Sequence, residues 1–348
     1  MTQIDIVVGG MWHAGDLAGG LVQLGHDVHL ITTSPHSSVD YRCTVVTHGE
    51  LVGRVWRRAG GDHSLYAKLA SRRLVRHLRE GSRTIVWSSF GSGLMESDRP
   101  IDVLVRGSHH IERQRRILQS AAGELRAAYE GPSGPSVRCE RREYGYAGKV
   151  TVPTEGIAAD ELWEQDGAQV HVDAYGFPPV TRVPYDKDEQ TVVFVGALTV
   201  RKGIDLLARA FPRPSSSVRR LVAYGSVEVA RRDLPGWWEL KGQRPHREVV
   251  DAMHSASALV LLSREEGMAR AGMEAMALGT PIVVSHETGL GRWVAEVGGA
   301  VVDPLNPEEV AAVVAQVASQ RREAGHAAQS VAQSWTWADH AGELLSCL

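Results

Sequence analysis

The sequence is short of cysteine. Cys43, Cys139 and Cys347 are its only three in 348 residues, too few and too scattered for a disulfide framework or a tetrahedral zinc site. Long apolar runs are missing too. Stretches such as Ala258 to Leu262 fall far short of the roughly 20 residues that span a bilayer. No charge sign dominates: 38 Lys and Arg stand against 41 Asp and Glu, a formal net charge of −3. That balance gives no whole-chain case for binding nucleic acid. The chain enters Ile4-Asp5-Ile6-Val7-Val8 at once, with no basic start before a long apolar stretch, so no signal peptide is expected. These absences lead to the expectation of a reduced, cytoplasmic protein. What is present supports globular folding. Hydrophobic residues make up 43% and charged residues 23%, enough for real cores and against wholesale disorder. The length suits two domains of roughly 100–200 residues each.

Strand, turn and helix signals alternate along the chain. Ile4 to Val8 is a continuous apolar run, as a parallel strand buried on both faces requires. Gly9-Gly10 breaks it. Leu17, Ala18, Leu21, Val22 and Leu24 then recur at helical spacing, Gly25 ends that helix, and Asp27 to Thr32 is the next strand. This βαβ unit predicts a parallel sheet covered by helices. Further strands are expected at 83–87, 101–105, 149–152 and 168–172. A turn-rich stretch from Tyr175 to Asp188, carrying Pro178, Pro179 and Pro184, reads as a linker. The pattern then restarts with strands at 191–195, 220–224, 258–262 and 281–284, and helices at 203–211 and 307–318, the latter capped by Asn306. The expected fold is α/β: two doubly wound Rossmann-like domains, 1–182 and 183–334, facing a central cleft. Ligands are expected outside the C-terminal ends of the strands.

Two segments carry chemistry. The first, Glu266 to Pro281, follows a strand. Its glycine-containing loop and a helix starting near Ala271 would aim backbone N–H groups at an anion, usually a phosphate. Glu266 on the loop and Glu274 in the helix would reach two ends of one extended ligand, and carboxylates bind paired sugar hydroxyls well. The second runs from Val195 to Asp205. A strand ends in a glycine loop, and Arg201 and Lys202 precede a helix, an arrangement suited to neutralising a departing diphosphate. Either segment has a plainer reading as solvent-facing charge.

With these segments, and with Lys241-Gly242-Gln243-Arg244 between them, the chain resembles the retaining glycosyltransferases of family 4, which have the GT-B fold. Arg106-Gly107-Ser108-His109-His110-Ile111, Glu140 to Ala147 running into Val150 to Thr154, and Ala174-Tyr175-Gly176 resemble segments of a subset of that family. The resemblance reaches Ser334-Trp335, where a C-terminal helix, 335–348, would begin and pack back on the first domain. It implies that the first domain binds an acceptor (a small molecule, a glycan or a lipid-linked sugar) and the second a nucleotide-diphosphate-sugar donor. Glu274 would hold the ribose hydroxyls. Glu266 would lie near the donor sugar, with the backbone of Gly267, Met268, Ala269 and Arg270 against sugar and phosphate. Lys202 and Arg201 would stabilise the leaving diphosphate. Gly242, Gln243 and Arg244 would meet the base. His110 would sit at the reaction centre, with His109 as the alternative, and Gly9 and Gly10 would let backbone approach the phosphates. Neither a metal nor another cofactor is implied.

Ala197 departs from the family, which usually has arginine directly after the first glycine of that loop. A catalytically idle nucleotide-sugar-binding or scaffold protein is the rival that this change favours. A dinucleotide-dependent dehydrogenase is disfavoured, because no strand leads into Gly-x-Gly-x-x-Gly with an acid at the end of the next strand. The remaining feature is a basic run, Arg54 to Arg79, with Leu65, Leu69, Val75 and Leu78 at near-helical spacing. It reads as an amphipathic surface for weak contact with anionic lipid, as a site for an acidic acceptor, or as a solvated arginine face packed on the core by its apolar side.

Overall fold

The computed structural model describes residues 1–10, 13–34, 36, 38, 40–46, 63–125, 129, 131–180, 190–297 and 299–348. The chain forms two compact units. The first comprises Met1–Arg116, Glu130–Gly176 and Trp337–Leu348, and the second Ile117–Tyr129 and Phe177–Thr336. The change of unit at Gly176/Phe177 falls in the turn-rich stretch, whose residues 181–188 lie outside the described residues, as does the expected boundary at 182/183.

In the first unit the strands are β1 (Gln3–Val8), β2 (Asp27–Thr32), β3 (Arg42–Val45), β4 (Arg83–Trp87), β5 (Val103–Val105), β6 (Lys149–Val152) and β7 (Val170–Val172). They pair in the order β3-β2-β1-β4-β5-β6-β7, all parallel. The helices are α1 (Ala14–Gln23), α2 (His63–Leu74), α3 (Ser92–Glu96), α4 (Ile111–Leu125, assigned to the second unit from Ile117 on), α5 (Gly134–Tyr146), α6 (Glu155–Ala158) and α7 (Leu162–Gln165). One core cluster joins Val7, Ile31, Leu74, Val86, Leu104, Tyr144 and Trp163.

The second unit holds β8 (Thr191–Val195), β9 (Arg220–Tyr224), β10 (Glu239–Gly242), β11 (Ala258–Leu261), β12 (Ile282–Ser285) and β13 (Ala300–Val302). Their order is β10-β9-β8-β11-β12-β13, again wholly parallel. Its helices are α8 (Ile204–Ala210), α9 (His246–Ser255), α10 (Arg270–Ala277), α11 (Gly291–Ala295), α12 (Pro307–Ser319) and α13 (Arg321–Ser334). The Asn306 side chain caps α12 by accepting from the Glu309 N–H at 3.2 Å. Both sheets are thus the doubly wound parallel α/β type that continuous apolar strands predict.

Helix α13 ends at Ser334, and a last helix, α14 (Trp337–Leu345), begins two residues after Trp335, where the sequence pointed. It belongs to the first unit, packs on α1, and buries His340, Ala341 and Leu344.

The basic run divides. Residues 54–62 lie outside the described residues. On α2, Leu65 and Leu69 are 45% and 48% exposed, so they do not pack on the core as the solvated-face reading requires, whereas Leu74 and Val75 are buried. Arg79 is largely withdrawn from the surface. Its guanidinium bonds Asp5 at 2.7 Å and Asp27 at 2.7 Å, and its backbone N–H donates to Asp5 at 2.6 Å.

Candidate active site

In the second sheet the winding reverses between β8 and β11. The crevice outside the carboxyl ends of the strands at such a reversal is where open α/β sheets bind ligands. Two loops leave that point, residues 196–203 after β8 and 262–269 after β11.

The loops are tied to each other. Gly203 turns into α8 at φ +67°, and a Cβ there would lie 1.8 Å from the Leu262 carbonyl oxygen. Only glycine permits that approach. The Arg264 backbone N–H donates to the Arg201 carbonyl at 2.9 Å. Its guanidinium donates to the Val200 carbonyl at 2.8 Å and forks onto both Asp205 oxygens at 2.6 Å each. This bidentate clamp fixes the geometry of both loops.

The clamp brings two cations against two carboxylates. Lys202 Nζ pairs with the Glu266 carboxylate. Arg201 Nη1 lies 3.1 Å from Glu265 Oε2 and 4.0 Å from Glu266 Oε2. Glu265 is fully buried, while Lys202 and Glu266 keep side chains 18% and 12% exposed. The Glu266 backbone bridges to Thr288, and the Gly267 carbonyl accepts from the Gly289 N–H at 2.8 Å. Behind them, Met268 and Ala269 are buried.

Helix α10 starts at Arg270 with Ala269 as N-cap, which has no side-chain acceptor to offer the first turn. Glu274 accepts from Arg270 Nε at 2.9 Å and lies 3.2 Å from His246 Nε2 of α9. Gly242 closes β10 at φ +70°, and its carbonyl accepts from the Gly225 N–H at 3.0 Å. Gln243 and Arg244 follow in an exposed turn, with Arg244 Nε 3.5 Å from Glu248. Arg201, Lys202 and Glu266 therefore meet in one cluster, and Glu274 and the 242–244 turn stand on other elements of the same unit. Four residues escaped the sequence reading: Glu265, Arg264, Asp205 and His246. Glu265 stood beside a residue already singled out, but burial alone distinguishes it.

Gly9, Gly10 and His110 belong to the first unit. A Cβ on Gly9 would lie 1.7 Å from the Phe90 ring, so this glycine answers to packing within the unit, and its carbonyl accepts from the Thr33 hydroxyl. Gly10 follows at a half-buried bend.

His110, expected at the reaction centre, lies deep in the first unit. The residue is 0% exposed. Its Nδ1 accepts from the Glu112 N–H at 3.2 Å, which makes Nε2 the donor to Asp166 Oδ2 at 2.9 Å. Tyr144 and Trp163 rings pack on it at 5.0 and 4.8 Å. Burial lowers its pKa, against the opposing pull of Asp166. Arg141 holds Asp166 from the other side at 2.6 Å. With both nitrogens engaged, this buried imidazole anchors the start of α4. His109 is half-buried, with its carbonyl bonded by Arg106 Nε at 2.9 Å.

Among the described residues, no group of three or more His, Cys, Asp or Glu is placed to hold a metal ion, and no helix is long and apolar enough to cross a membrane.

Comparison with known proteins gives the following. Residues 181–334 match the family described as glycosyl transferases group 1. The chain is 34% identical over 175 residues to the uncharacterized glycosyltransferase MJ1607 of Methanocaldococcus jannaschii, covering 46% of this chain and 44% of that relative's length. Among solved structures, sucrose-phosphate synthase from Thermosynechococcus elongatus superposes with a TM-score of 0.73 at 18% identity, over 99% of this chain and 98% of that one. An E. coli structure described as trehalose-6-phosphate bound with UDP-2-fluoro glucose gives 0.67 at 13% identity, over 99% and 98%. Residues 181–334 of the chain are thus similar to the glycosyl transferases group 1 family, and its two Rossmann-like α/β units have the GT-B fold of the solved structures that it resembles.

Proposed function

We propose that this chain is a retaining glycosyltransferase. It moves a sugar from a nucleotide-diphosphate-sugar donor, bound on the second unit, to an acceptor hydroxyl presented by the first. The observation that carries this reading is the placement of Arg201, Lys202 and Glu266 on two clamped loops at the winding reversal of the second sheet. The family match over residues 181–334 supports sugar transfer, and the UDP-2-fluoro glucose named with a structural neighbour supports a nucleotide-sugar donor.

In this reading the departing diphosphate takes Lys202 and Arg201 as counter-charges, and Glu265 and Glu266 hold both cations in position beforehand. Loss of the diphosphate leaves oxocarbenium-like charge on the anomeric carbon, so fixed positive charge at the leaving group lowers the barrier most. The N-terminus of α10 adds its dipole beside the phosphates. Glu266 accepts from donor-sugar hydroxyls, Glu274 takes the ribose, and the 242–244 turn meets the base. The reaction takes place in the cytoplasm. The acceptor hydroxyl attacks with retention of anomeric configuration.

A thermal-shift screen with uridine, guanosine and thymidine diphosphates tests the donor site. A ligand at 100 times its Kd adds about 2.7 kcal/mol of stability. With the donor known, Lys202→Ala should lower kcat by about 10²–10³-fold, the effect of one preorganised charge contact. Turnover equal to wild type would remove the leaving-group role. Nucleotide binding without transfer across a broad acceptor panel would favour the idle binder to which Ala197 points.

A further inference from the structure

The Glu274 carboxylate is held by one oxygen. Its Oε1 accepts from Arg270 Nε at 2.9 Å and lies 3.2 Å from His246 Nε2. Two donors fill the two lone pairs of that oxygen. Oε2 has no partner among the described residues. The side chain is 13% exposed, and Oε2 keeps an accessible surface. Glu274 therefore presents one whole oxygen with both lone pairs open.

Helix formation does not account for this arrangement. Arg270 is the first residue of α10, where a cation opposes the helix dipole. Four residues separate it from Glu274, so both share one face of the helix. His246 is the first residue of α9, a helix that packs on α10. The acid nearest to it on its own helix, Glu248, is taken by Arg244 at 3.5 Å. Two basic side chains from two helices thus converge on the same carboxylate oxygen.

His246 has a second connection. Pro245 alone separates it from the 242–244 turn and precedes α9 at φ −53°, a torsion that the proline ring fixes. The Gly242 carbonyl ties the other end of that turn to the Gly225 N–H at 3.0 Å. A short, stiff link therefore runs from the turn assigned to the base to the carboxylate assigned to the ribose.

We infer that His246 and the Arg270 side chain are positioning residues for Glu274, an inference that rests on the ribose role given to Glu274 above. They occupy Oε1 and fix the carboxylate plane, so that Oε2 accepts from the 2′- and 3′-hydroxyls of the donor nucleotide. The discrimination of a ribonucleotide from its 2′-deoxy counterpart then depends on two side chains that do not touch the nucleotide.

Titration calorimetry on the full chain with uridine, guanosine and adenosine diphosphates and their 2′-deoxy counterparts tests this. The readout is the affinity ratio of ribonucleotide to deoxynucleotide for the base that binds. Wild type should favour the ribonucleotide by about tenfold or more, the worth of a hydrogen bond to a charged group. Glu274→Ala should remove that preference. His246→Ala should lower the ratio about threefold, the scale of one partly exposed pair, and His246→Ala/Arg270→Ala should lower it further. His246→Gln, whose amide can still donate, should restore most of it. In the Glu274→Ala background, His246→Ala should change nothing more. A wild-type ratio in the double variant, with the preference lost in Glu274→Ala, overturns the positioning role and leaves the ribose role standing. An equal effect of His246→Ala in both backgrounds also overturns it, because His246 then acts on the nucleotide itself or on the fold. Binding of none of the ribonucleotides, or a ratio that Glu274→Ala leaves unmoved, overturns the ribose role and this inference with it.

Discussion

Replacing Asp5 by asparagine should lower the stability of the first unit by about 3 kcal/mol, the lower end of the cost of breaking a buried ion pair by removing one partner. Asp5 is fully buried at the start of the central strand β1. It accepts from the Arg79 backbone N–H at 2.6 Å, Arg79 Nε at 2.7 Å and the Ser82 hydroxyl at 2.7 Å. The lower end applies because Arg79, 16% exposed, keeps Asp27 at 2.7 Å. The asparagine NH₂ would face donors in place of an acceptor.

The same geometry sets a pH dependence. Burial alone would raise the Asp5 carboxyl, but the His29 ring, Arg79 and Ser82 more than reverse it, and its pKa falls from 3.8 to about 2. That drop corresponds to about 2.4 kcal/mol of stability. The contribution is complete well above the unfolded value of 3.8 and disappears as pH falls through about 2. About 1 kcal/mol of it is gone by pH 3. Melting followed by circular dichroism at pH 7, 5 and 3 reads both effects. At about 2–4 °C per kcal/mol for a unit of this size, Asp5→Asn should melt about 6–12 °C below wild type at pH 7, with the gap narrowing toward pH 3. A midpoint within 2 °C of wild type at pH 7, or a gap that stays constant to pH 3, would refute the reasoning.

Three further outcomes are expected. Glu274→Ala should weaken binding of the preferred nucleoside diphosphate by about tenfold or more, the loss of a hydrogen bond to a charged group, and unchanged affinity in calorimetry would end its ribose role. Gly203→Ala should cost about 2–4 kcal/mol from left-handed strain plus displacement of the Leu262 carbonyl. A urea midpoint equal to wild type would contradict the contact. His110, whose pKa burial lowers, contributes stability above the ordinary histidine value near 6.5 that is lost as pH falls below it. His110→Gln should therefore be less stable at pH 7 than wild type, lose less between pH 7 and 5, and keep its nucleoside diphosphate response; loss of that response in a folded variant would support a role at the reaction centre.

The central strands were legible because burial on both faces leaves an unbroken apolar run. Strands β4, β6, β8 and β9 occupy the residues that their runs marked. Strands β3, β10 and β13 were missed. All three lie at sheet edges; polar residues interrupt β3 and β10, and β13 is only 3 residues long. Within the candidate site, Arg201, Lys202 and Glu266 stood out because glycine loops after strands announce ligand-facing backbone. Their carboxylate and arginine supports did not, since Arg264 meets Asp205 across 59 residues and Arg201 meets Glu265 across 64.

By itself the sequence determined what depends on neighbours along the chain: strand and helix periodicity, the turn-rich break between two α/β halves, and the loops where charge gathers. Tertiary structure decided what depends on which side chains meet. It buried His110 between Asp166, Tyr144 and Trp163, and drew Arg79 from an apparent surface run into a pair with Asp5. It also turned Leu65 toward solvent and left the Ser92 hydroxyl buried without a partner. The physical reason is that charge and hydrogen-bonding capacity are properties of a residue, whereas burial and partners are properties of a place, and only the folded chain assigns places.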